Sequence, residues 1–249
     1  MTRRVLAPLL LVLLAAPAPA AAAEQRALRP EGDHRPLGDE RLSNETMLTR
    51  WAHTNLLGSV RSKPSIRSRS VGRLRWNTED GVPEVYVVLQ SRLDDDGRPW
   101  LQIRIPGRPN GRTGWVREEQ LSNLKTIRTH LTIDRGTLTA TLRRNGGRIW
   151  SSRIGVGAPG TPTPRGRFWI RERLRNFGGS PIYGPWAFGT SAYSDQLTDW
   201  PGGGVIGIHG TNQPGLIPGR PSHGCIRVPN ERIARLARLM PVGTPVRIR

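Results

Sequence analysis

Glycine and proline interrupt this chain along its whole length, and they limit the folds that it can adopt. The 249 residues include 29 glycines and 22 prolines, which favour turns and short strands over long helices. Hydrophobic residues make up 36% of the chain, and eight of its residues are tryptophan, which is enough to anchor more than one core. We therefore expect a mainly β protein with one large domain or two small ones.

The first β-rich stretch covers residues 58–122. A β-branched run at 85–89 and an alternation of apolar and polar side chains at 100–105 precede the Gly-Trp-Val of 114–116. This order resembles a bacterial SH3-like domain, and the resemblance implies a small barrel. Such a barrel binds wall peptides, packs beside a catalytic domain or serves as a spacer. Residues 24–57, which are mixed in charge and show little periodicity, are interpreted as a linker or strap.

The second β-rich stretch covers residues 127–249. Residues 129–134 alternate with period two, and an Asn-Gly pair at 145–146 marks a hairpin. A short strand is predicted at 205–209. Near the end of the chain, Ile233, Leu236, Ala237 and Met240 keep helical spacing, and Asn230 is placed to cap that helix. This domain is therefore predicted to be β-rich with one clear helix.

The first 23 residues have the pattern of a secretory signal peptide. Arg3 and Arg4 precede an apolar run, prolines follow it, and small residues lead to Ala23. The apolar run is shorter than the roughly 20 residues that a membrane span needs. We therefore expect an exported protein of the cell wall or periplasm, with no stable membrane anchor after cleavage.

The charge of the chain favours an anionic partner. The formal net charge is +19, and most of the excess lies within residues 125–249. A field of this sign attracts polyanions and is screened by salt. Because the leader indicates export, anionic cell-wall polymers fit better than nucleic acid. The alternative is a solvated basic surface without a specific partner.

One stretch concentrates the reactive side chains. Residues 207–230 read GIHGTNQPGLIPGRPSHGCIRVPN and hold Cys225, the one cysteine of the chain, with His209 and His223. An unperturbed thiol, with a pKa of about 8.5, is only a few per cent ionised at neutral pH, so a cysteine nucleophile needs a neighbouring base or cation. His223 would share a strand face with Cys225. His209 ends a predicted strand and would reach Cys225 only if the intervening loop folds back.

The order I-H-G-T, a loop, and S-H-G-C-I-R-V-P-N resembles the catalytic signature of the L,D-transpeptidases, the YkuD-type domain, over residues 127–249. The resemblance implies a cysteine acyl-enzyme and no cofactor or metal. The thiolate would attack the third residue of a peptidoglycan stem tetrapeptide and expel the terminal D-Ala. An amine on a neighbouring stem would then resolve the thioester. A carbapenem should acylate the same cysteine as a substrate mimic.

The resemblance also implies a role for each residue of the motif. Cys225 corresponds to the nucleophile and His209 to the general base, which the backbone carbonyl of Gly210 would orient. Ser222, His223 and Gly224 would complete the cysteine loop, with the amides of Gly224 and Cys225 close to the developing oxyanion.

The remaining candidates concern the substrate. Arg227, two positions after Cys225, would bind a substrate carboxylate or brace the loop. The side chains expected to line the cleft are aromatic, and their alternative role is ordinary packing: Tyr183, Trp186, Phe188, Tyr193 and Trp200.

Four other interpretations stay open at this point. His209, His223 and Cys225 could be three ligands of a zinc ion, or Cys225 could be an inert buried thiol. Water could resolve the acyl-enzyme, which would make the protein an L,D-carboxypeptidase or another hydrolase. The chain could also be a non-catalytic protein that binds the cell wall.

Overall fold

The computed structural model of the protein describes residues 31–34, 36, 38–198 and 201–249. Over these residues the strands form three sheets, of nine, five and six strands, and the chain forms one α-helix. The prediction of a mainly β fold with one clear helix is confirmed. The predicted signal peptide lies outside the described residues. None of the helices in the described part is long and apolar enough to cross a membrane.

The first sheet contains the nine strands that precede residue 128, in the order β1-β9-β3-β6-β7-β8-β4-β5, with β2 paired to β6. Its core holds buried aliphatic side chains, among them Val88, Leu101 and Val116. The predicted strands at 85–89, 100–105 and 114–116 correspond to β6, β7 and β8. The strands are β1 Glu31–His34, β2 Glu40–Arg41, β3 Thr49–Ala52, β4 Ser59–Arg61, β5 Ser70–Arg73, β6 Tyr86–Leu93, β7 Pro99–Arg104, β8 Thr113–Arg117 and β9 Leu124–Ile127.

The structure differs from the expectation of a linker over residues 24–57. Strands β1, β2 and β3 come from this segment, and β3 lies between β6 and β9 inside the sheet. Trp51 and Ala52 of β3 are buried, so the burial of these side chains outweighs the weak periodicity that suggested a strap. The assignment of residues 58–122 to an SH3-like barrel stays a prediction.

Two further sheets form the second unit. The five-stranded sheet has the order β12-β11-β10-β20-β14, and the six-stranded sheet has the order β15-β16-β17-β19-β13-β18. The predicted Asn-Gly hairpin joins β11 to β12. The strands are β10 Thr129–Asp134, β11 Thr139–Arg144, β12 Gly147–Arg153, β13 Gly155–Gly157, β14 Gly166–Trp169, β15 Leu174–Arg175, β16 Trp186–Tyr193, β17 Val205–His209, β18 Gly219–Ser222, β19 Ile226–Arg227 and β20 Pro245–Ile248.

The α-helix α1 spans Asn230–Leu239. Ile233, Leu236 and Ala237 face the core, as their spacing predicts, and Met240 is buried just after the helix. Asn230 does not cap the helix, because Pro229 occupies the N-cap position. Its side chain oxygen instead accepts a hydrogen bond from the Thr211 amide at 2.8 Å, which ties α1 to the loop after β17. Short 3-10 helices span Glu118–Gln120, Phe177–Gly179, Pro181–Tyr183, Pro201–Gly204 and Pro214–Leu216.

The two units are joined by a buried ion cluster. Arg171, which is 1% exposed, donates through Nε to Glu84 at 2.7 Å and through Nη2 to Glu79 at 2.9 Å. Tyr193 donates its hydroxyl hydrogen to Glu79 at 2.5 Å and accepts from Arg171 at 3.2 Å. Beside this cluster the indole Nε1 of Trp169 donates to a backbone carbonyl of the first unit at 2.7 Å. The first sheet is therefore packed against the second unit through charged as well as apolar contacts.

Candidate active site

Cys225 and His209 are brought together by a parallel strand pair. Strand β17 pairs with β19 so that Ile208 is opposite Ile226 and His209 is opposite Arg227. This register places Cys225, the residue before β19, beside Gly207. Because side chains alternate along a strand, Ile208 and Ile226 enter the core, while Gly207, His209 and Cys225 share the other face. Cys225 and His209 are diagonal neighbours on that face.

A glycine keeps the space between the two reactive groups open. The Gly207 amide donates to Cys225 Sγ at 3.4 Å. A methyl group placed on Gly207 would lie 3.8 Å from that sulfur and 3.7 Å from His209 Cδ2. Cys225 and His209 therefore both border the space directly above Gly207. Because Gly207 has no side chain, this space has room for a reacting group.

The imidazole of His209 is held in one tautomer. His209 is 4% exposed, and its Nδ1 lies 2.6 Å from the carbonyl oxygen of Gly210. Because a carbonyl can only accept, Nδ1 carries the hydrogen and Nε2 keeps a free lone pair. The ring of Tyr183 packs edge-on against the imidazole, with the ring centroids 5.1 Å apart. The expected role of Gly210 as the group that orients His209 agrees with this contact.

Burial makes both reactive groups neutral at physiological pH. It lowers the pKa of His209 to about 4. The hydrogen bond to the Gly210 carbonyl opposes this shift and the charge of Arg227 adds to it, and both effects are smaller than that of burial. Burial also raises the pKa of the Cys225 thiol, against the smaller effects of the Gly207 amide and Arg227. Burial disfavours the charged form of each group, so the shifts have opposite signs. A neutral thiol beside a neutral imidazole, rather than a thiolate–imidazolium pair, is the resting state.

The pH dependence of alkylation tests this resting state. Iodoacetamide reacts with the thiolate, so the rate of Cys225 alkylation should be low at neutral pH. It should rise with pH beyond the ordinary titration range of a cysteine, because the thiol pKa is raised. Mass spectrometry of the alkylated protein between pH 4 and 10 gives the profile. A fast, flat rate that begins near pH 4 would instead indicate a preformed ion pair.

The loop before Cys225 is closed by Ser222. Its hydroxyl donates to the Cys225 carbonyl at 2.6 Å and accepts from the Gly224 amide at 3.2 Å. Gly224 has a φ of 121°, in the region that favours glycine. Ser222 therefore bonds across the loop as expected. The Gly224 amide, expected to face the oxyanion, is already engaged by Ser222, and an oxyanion role for the Cys225 amide stays a prediction.

The other polar residues of the motif, His223 and Arg227, lie around the pair formed by Cys225 and His209 rather than between these two side chains. His223 is exposed and does not line the cavity that contains Cys225. Arg227 donates through Nη1 to the side chain oxygen of Gln213 at 2.9 Å. This contact supports a role in bracing the loop, and the binding of a substrate carboxylate by Arg227 stays a prediction.

A cavity of about 300 Å³ opens over Cys225 and His209. Among the aromatic candidates, Tyr183 and Phe188 line it, together with Phe177, which the sequence did not single out. Cys225 lines this cavity and is partly accessible, which does not agree with the alternative of a fully buried structural thiol.

Trp186 and Tyr193, both expected to bind substrate, do not line the cavity. The ring of Trp186 is covered by the Arg173 guanidinium, whose carbon lies 4.7 Å from the ring centroid. Tyr193 is buried, and its hydroxyl belongs to the ion cluster between the two units. Both Trp186 and Tyr193 are thus engaged by other parts of the protein, and their spacing from the motif in the sequence does not predict these contacts. Trp200 lies outside the described residues.

The zinc interpretation does not agree with this arrangement. His223 lies outside the cavity that His209 and Cys225 share, so the three predicted ligands do not converge. Among all residues described by the structure, no group of three or more His, Cys, Asp or Glu side chains is placed to hold a metal ion.

Replacing Gly207 with alanine tests the open space at the site. The added methyl would meet Phe188 O at 3.6 Å and the two reactive side chains at slightly longer distances, which are ordinary contacts. The fold should therefore persist, while acylation of Cys225 should slow by about 100-fold because the reacting carbonyl is displaced. Melting temperature and acylation rate are measured together. Gly160→Ala, at a position with no neighbour within 4 Å, is the matched control, and equal rates for the two variants would contradict the assignment.

The sequence matches proteins of known family. The sequence model of the YkuD L,D-transpeptidase catalytic domain matches residues 128–248. The L,D-transpeptidase YkuD of Bacillus subtilis is 38% identical over 123 residues, which cover 49% of this chain and 67% of that protein. The YkuD protein of Bacillus licheniformis is 41% identical over 95 residues, 38% of this chain and 50% of that protein. The chain thus spans about two thirds of the first relative and half of the second.

Solved structures of similar proteins are also L,D-transpeptidases. A crystal structure of an Enterococcus faecium L,D-transpeptidase has a TM-score of 0.39 and 24% identity, over 49% of this chain and 49% of that one. An L,D-transpeptidase from Mycobacterium smegmatis has a TM-score of 0.40 and 16% identity, over 61% of this chain and 90% of that one. The family assignment depends on the sequence matches and not on these scores.

Proposed function

Because the chain belongs to the L,D-transpeptidase family, we propose that Cys225 forms an acyl-enzyme with a peptidoglycan stem peptide and passes the acyl group to an amine. The observation that carries this proposal is the diagonal placement of Cys225 and His209 on one face of β17 and β19, at the floor of a cavity. A thiol and an oriented imidazole in this position are the elements of nucleophilic catalysis by cysteine.

The first half-reaction follows from the neutral resting state. As Cys225 Sγ attacks the carbonyl carbon of the third stem residue, the thiol proton passes to His209 Nε2. The Nδ1–H bond to the Gly210 carbonyl holds the ring in place and stabilises the imidazolium that forms. The tetrahedral intermediate then collapses, the bond to the terminal D-Ala breaks, and its nitrogen takes the proton from Nε2. The product is a thioester on Cys225.

The second half-reaction reverses the proton path. The amine acceptor attacks the thioester carbon, and its proton passes to His209 Nε2. The carbon–sulfur bond breaks, and the proton returns to Sγ. If water takes the place of the amine, the same steps give an L,D-carboxypeptidase or another hydrolase. The acceptor depends on how far the cleft excludes water.

A defined substrate distinguishes transfer from hydrolysis. The full protein is incubated with a stem tetrapeptide, with and without an amine acceptor, and the products are identified by mass. Transfer predicts a crosslinked product whose yield grows with the amine. A tripeptide as the main product, unaffected by the amine, would support a hydrolase. Unchanged tetrapeptide in both reactions would contradict the proposed function and leave a non-catalytic wall-binding protein.

Export to the cell wall or periplasm is part of the same proposal. It depends on the signal-like pattern of residues 1–23 and on a substrate that lies outside the cytoplasm. The positive charge of residues 125–249 would hold the enzyme near anionic wall polymers. Within this proposal the first sheet forms a second domain. Its residues Glu79 and Asp80 line the cavity, which supports a direct role of this domain in substrate binding.

A further inference from the structure

The cavity over Cys225 has an acidic wall that the proposed chemistry does not use. Glu172 lines it from the second unit, and Glu79 and Asp80 line it from the first. Glu79 and Asp80 lie in a tight hairpin closed by the bridge between Asn77 and Pro83. This wall is unusual because the second unit is otherwise strongly basic.

One row of residues crosses the strands from Glu172 to Cys225. The Glu172 amide donates to the Gly189 carbonyl at 3.2 Å, and Gly189 of β16 is directly opposite Gly207 of β17. The Gly207 amide in turn donates to Cys225 Sγ. The row therefore ends in a carboxylate on one side and a thiol on the other, with two glycines between them.

The two glycines keep the space between these groups empty. A Cβ on Gly189 would collide with the carboxylate of Glu172, while a Cβ on Gly207 would be in contact with Cys225 Sγ. The carboxylate thus lies over one glycine and the sulfur over its neighbour. Adjacent strands are about 5 Å apart, so a nitrogen bound to Glu172 would lie close to a carbonyl carbon attacked by, or bonded to, Sγ.

Glu172 is a buried carboxylate that the protein itself does not neutralise. It is 3% exposed, and among the described residues none forms an ion pair with it, because Arg171 directs its hydrogen bonds to Glu79, Glu84 and Tyr193. Burial, together with the neighbouring carboxyl of Asp80, raises the pKa of Glu172 to about 7, although Thr78 and the charge of Arg171 act against this rise. A cation in the cavity would remove this cost.

We propose that Glu172, with Asp80 at the rim of the cavity, binds a primary alkylammonium group of the substrate beside Cys225. An ammonium group offers three donors, which suits two carboxylates that approach from different units. A metal ion fits less well, because these carboxylates are not grouped as metal ligands. The ammonium belongs either to the amine acceptor or to the side chain of the diamino acid in the donor. In both cases the first unit completes the substrate site through its Asn77–Pro83 hairpin.

Binding to an unreactive variant tests this proposal without requiring catalysis. The inference depends on the proposed function for its substrate, but Cys225→Ala protein can bind a peptide without reacting. The probes are L-Ala–D-Glu–L-Lys–D-Ala and the same peptide with its lysine acetylated, titrated by calorimetry. The free amine should bind about tenfold more tightly, as expected for a hydrogen bond between charged groups in a partly buried site. Equal affinities would overturn the proposal.

Further substitutions on the Cys225→Ala background test which carboxylates cause the preference for the free amine over the acetylated peptide. Glu172→Gln should abolish the difference between the two peptides, and Asp80→Asn at the exposed rim should reduce it. Glu119→Gln, which removes an exposed carboxylate that does not line the cavity, should retain the difference. A preference that survives Glu172→Gln would overturn the assignment. If Glu172→Gln lowers the melting temperature strongly, the Asp80→Asn result decides.

Two further arms identify the source of the ammonium and its pH dependence. With a carbapenem-derived acyl group on wild-type Cys225, a persisting preference indicates the acceptor, and a lost preference indicates the donor. If no acyl group forms, the proposed function fails while the Cys225→Ala arm still decides the inference.

Because Glu172 ionises above about pH 7, and its charged neighbours are Asp80, Glu79 and Arg171, the preference for the free amine should be larger at pH 8 than at pH 6.

Discussion

Replacing His209 with glutamine is expected to slow acylation of Cys225 by about 1000-fold, within the range of a lost general base. In the neutral resting state the thiol cannot attack until Nε2 takes its proton. Glutamine can still bond to the Gly210 carbonyl, but it has no basic nitrogen. The rate is measured by intact-protein mass spectrometry after mixing with a carbapenem.

His223→Gln is the matched control for this experiment. His223 lies two positions before Cys225, but it is exposed and outside the cavity. Its replacement should therefore have a much smaller effect on the rate. Melting temperatures of both variants separate a chemical effect from unfolding. If His223→Gln were the slower variant, the choice of His209 as the base would be wrong.

The second large effect is expected at the ion cluster between the two units. Arg171→Met should lower the free energy of unfolding by about 3–5 kcal/mol, because it leaves a buried carboxylate without its main partner. Glu84 is fully buried, and Arg75 would be its remaining partner, at 2.9 Å. Although burial opposes ionisation, the charge of Arg171 and the hydrogen bond from Tyr193 lower the pKa of Glu79 to about 2. Glu79 is therefore charged at neutral pH.

Urea unfolding followed by tryptophan fluorescence measures this loss. The double variant Arg171→Met, Glu84→Leu should recover much of the stability, since it removes both charges together. Arg98→Met is the control, because Arg98 is 59% exposed and its partner Asp96 is 70% exposed, so the pair contributes little. An Arg171→Met protein as stable as Arg98→Met would show that the cluster does not hold the two units together.

The sequence was sufficient to predict the features that depend on local pattern. Alternation predicted the strands around residues 129–134 and 205–209, and helical spacing predicted α1. The joint placement of Cys225 and His209 was predicted through the family signature, and the structure explains it by the parallel pairing of β17 with β19. The hydrogen bond from His209 to Gly210 was predicted in the same way.

Features that depend on distant segments could not be predicted. Tyr193 is an aromatic residue near the motif, but its hydroxyl is bound by Glu79, far earlier in the chain. Strand β3 lacks clear periodicity and is fixed by partners on both sides. In the sequence, Glu172 stands out only weakly, as an isolated acidic residue in a strongly basic stretch. Its importance appears only when the opposed glycines of β16 and β17 place its carboxylate across from the thiol.

The mass of the intact protein after reaction with a carbapenem tests the central claim most directly. The claim is that one sulfur, activated by the imidazole beside it, becomes acylated. Wild-type protein should gain the mass of one acyl group, and peptide mapping should place that group on Cys225. Cys225→Ala protein should gain no mass. An adduct of the same size on Cys225→Ala, or no adduct on a folded wild-type protein, would contradict the account.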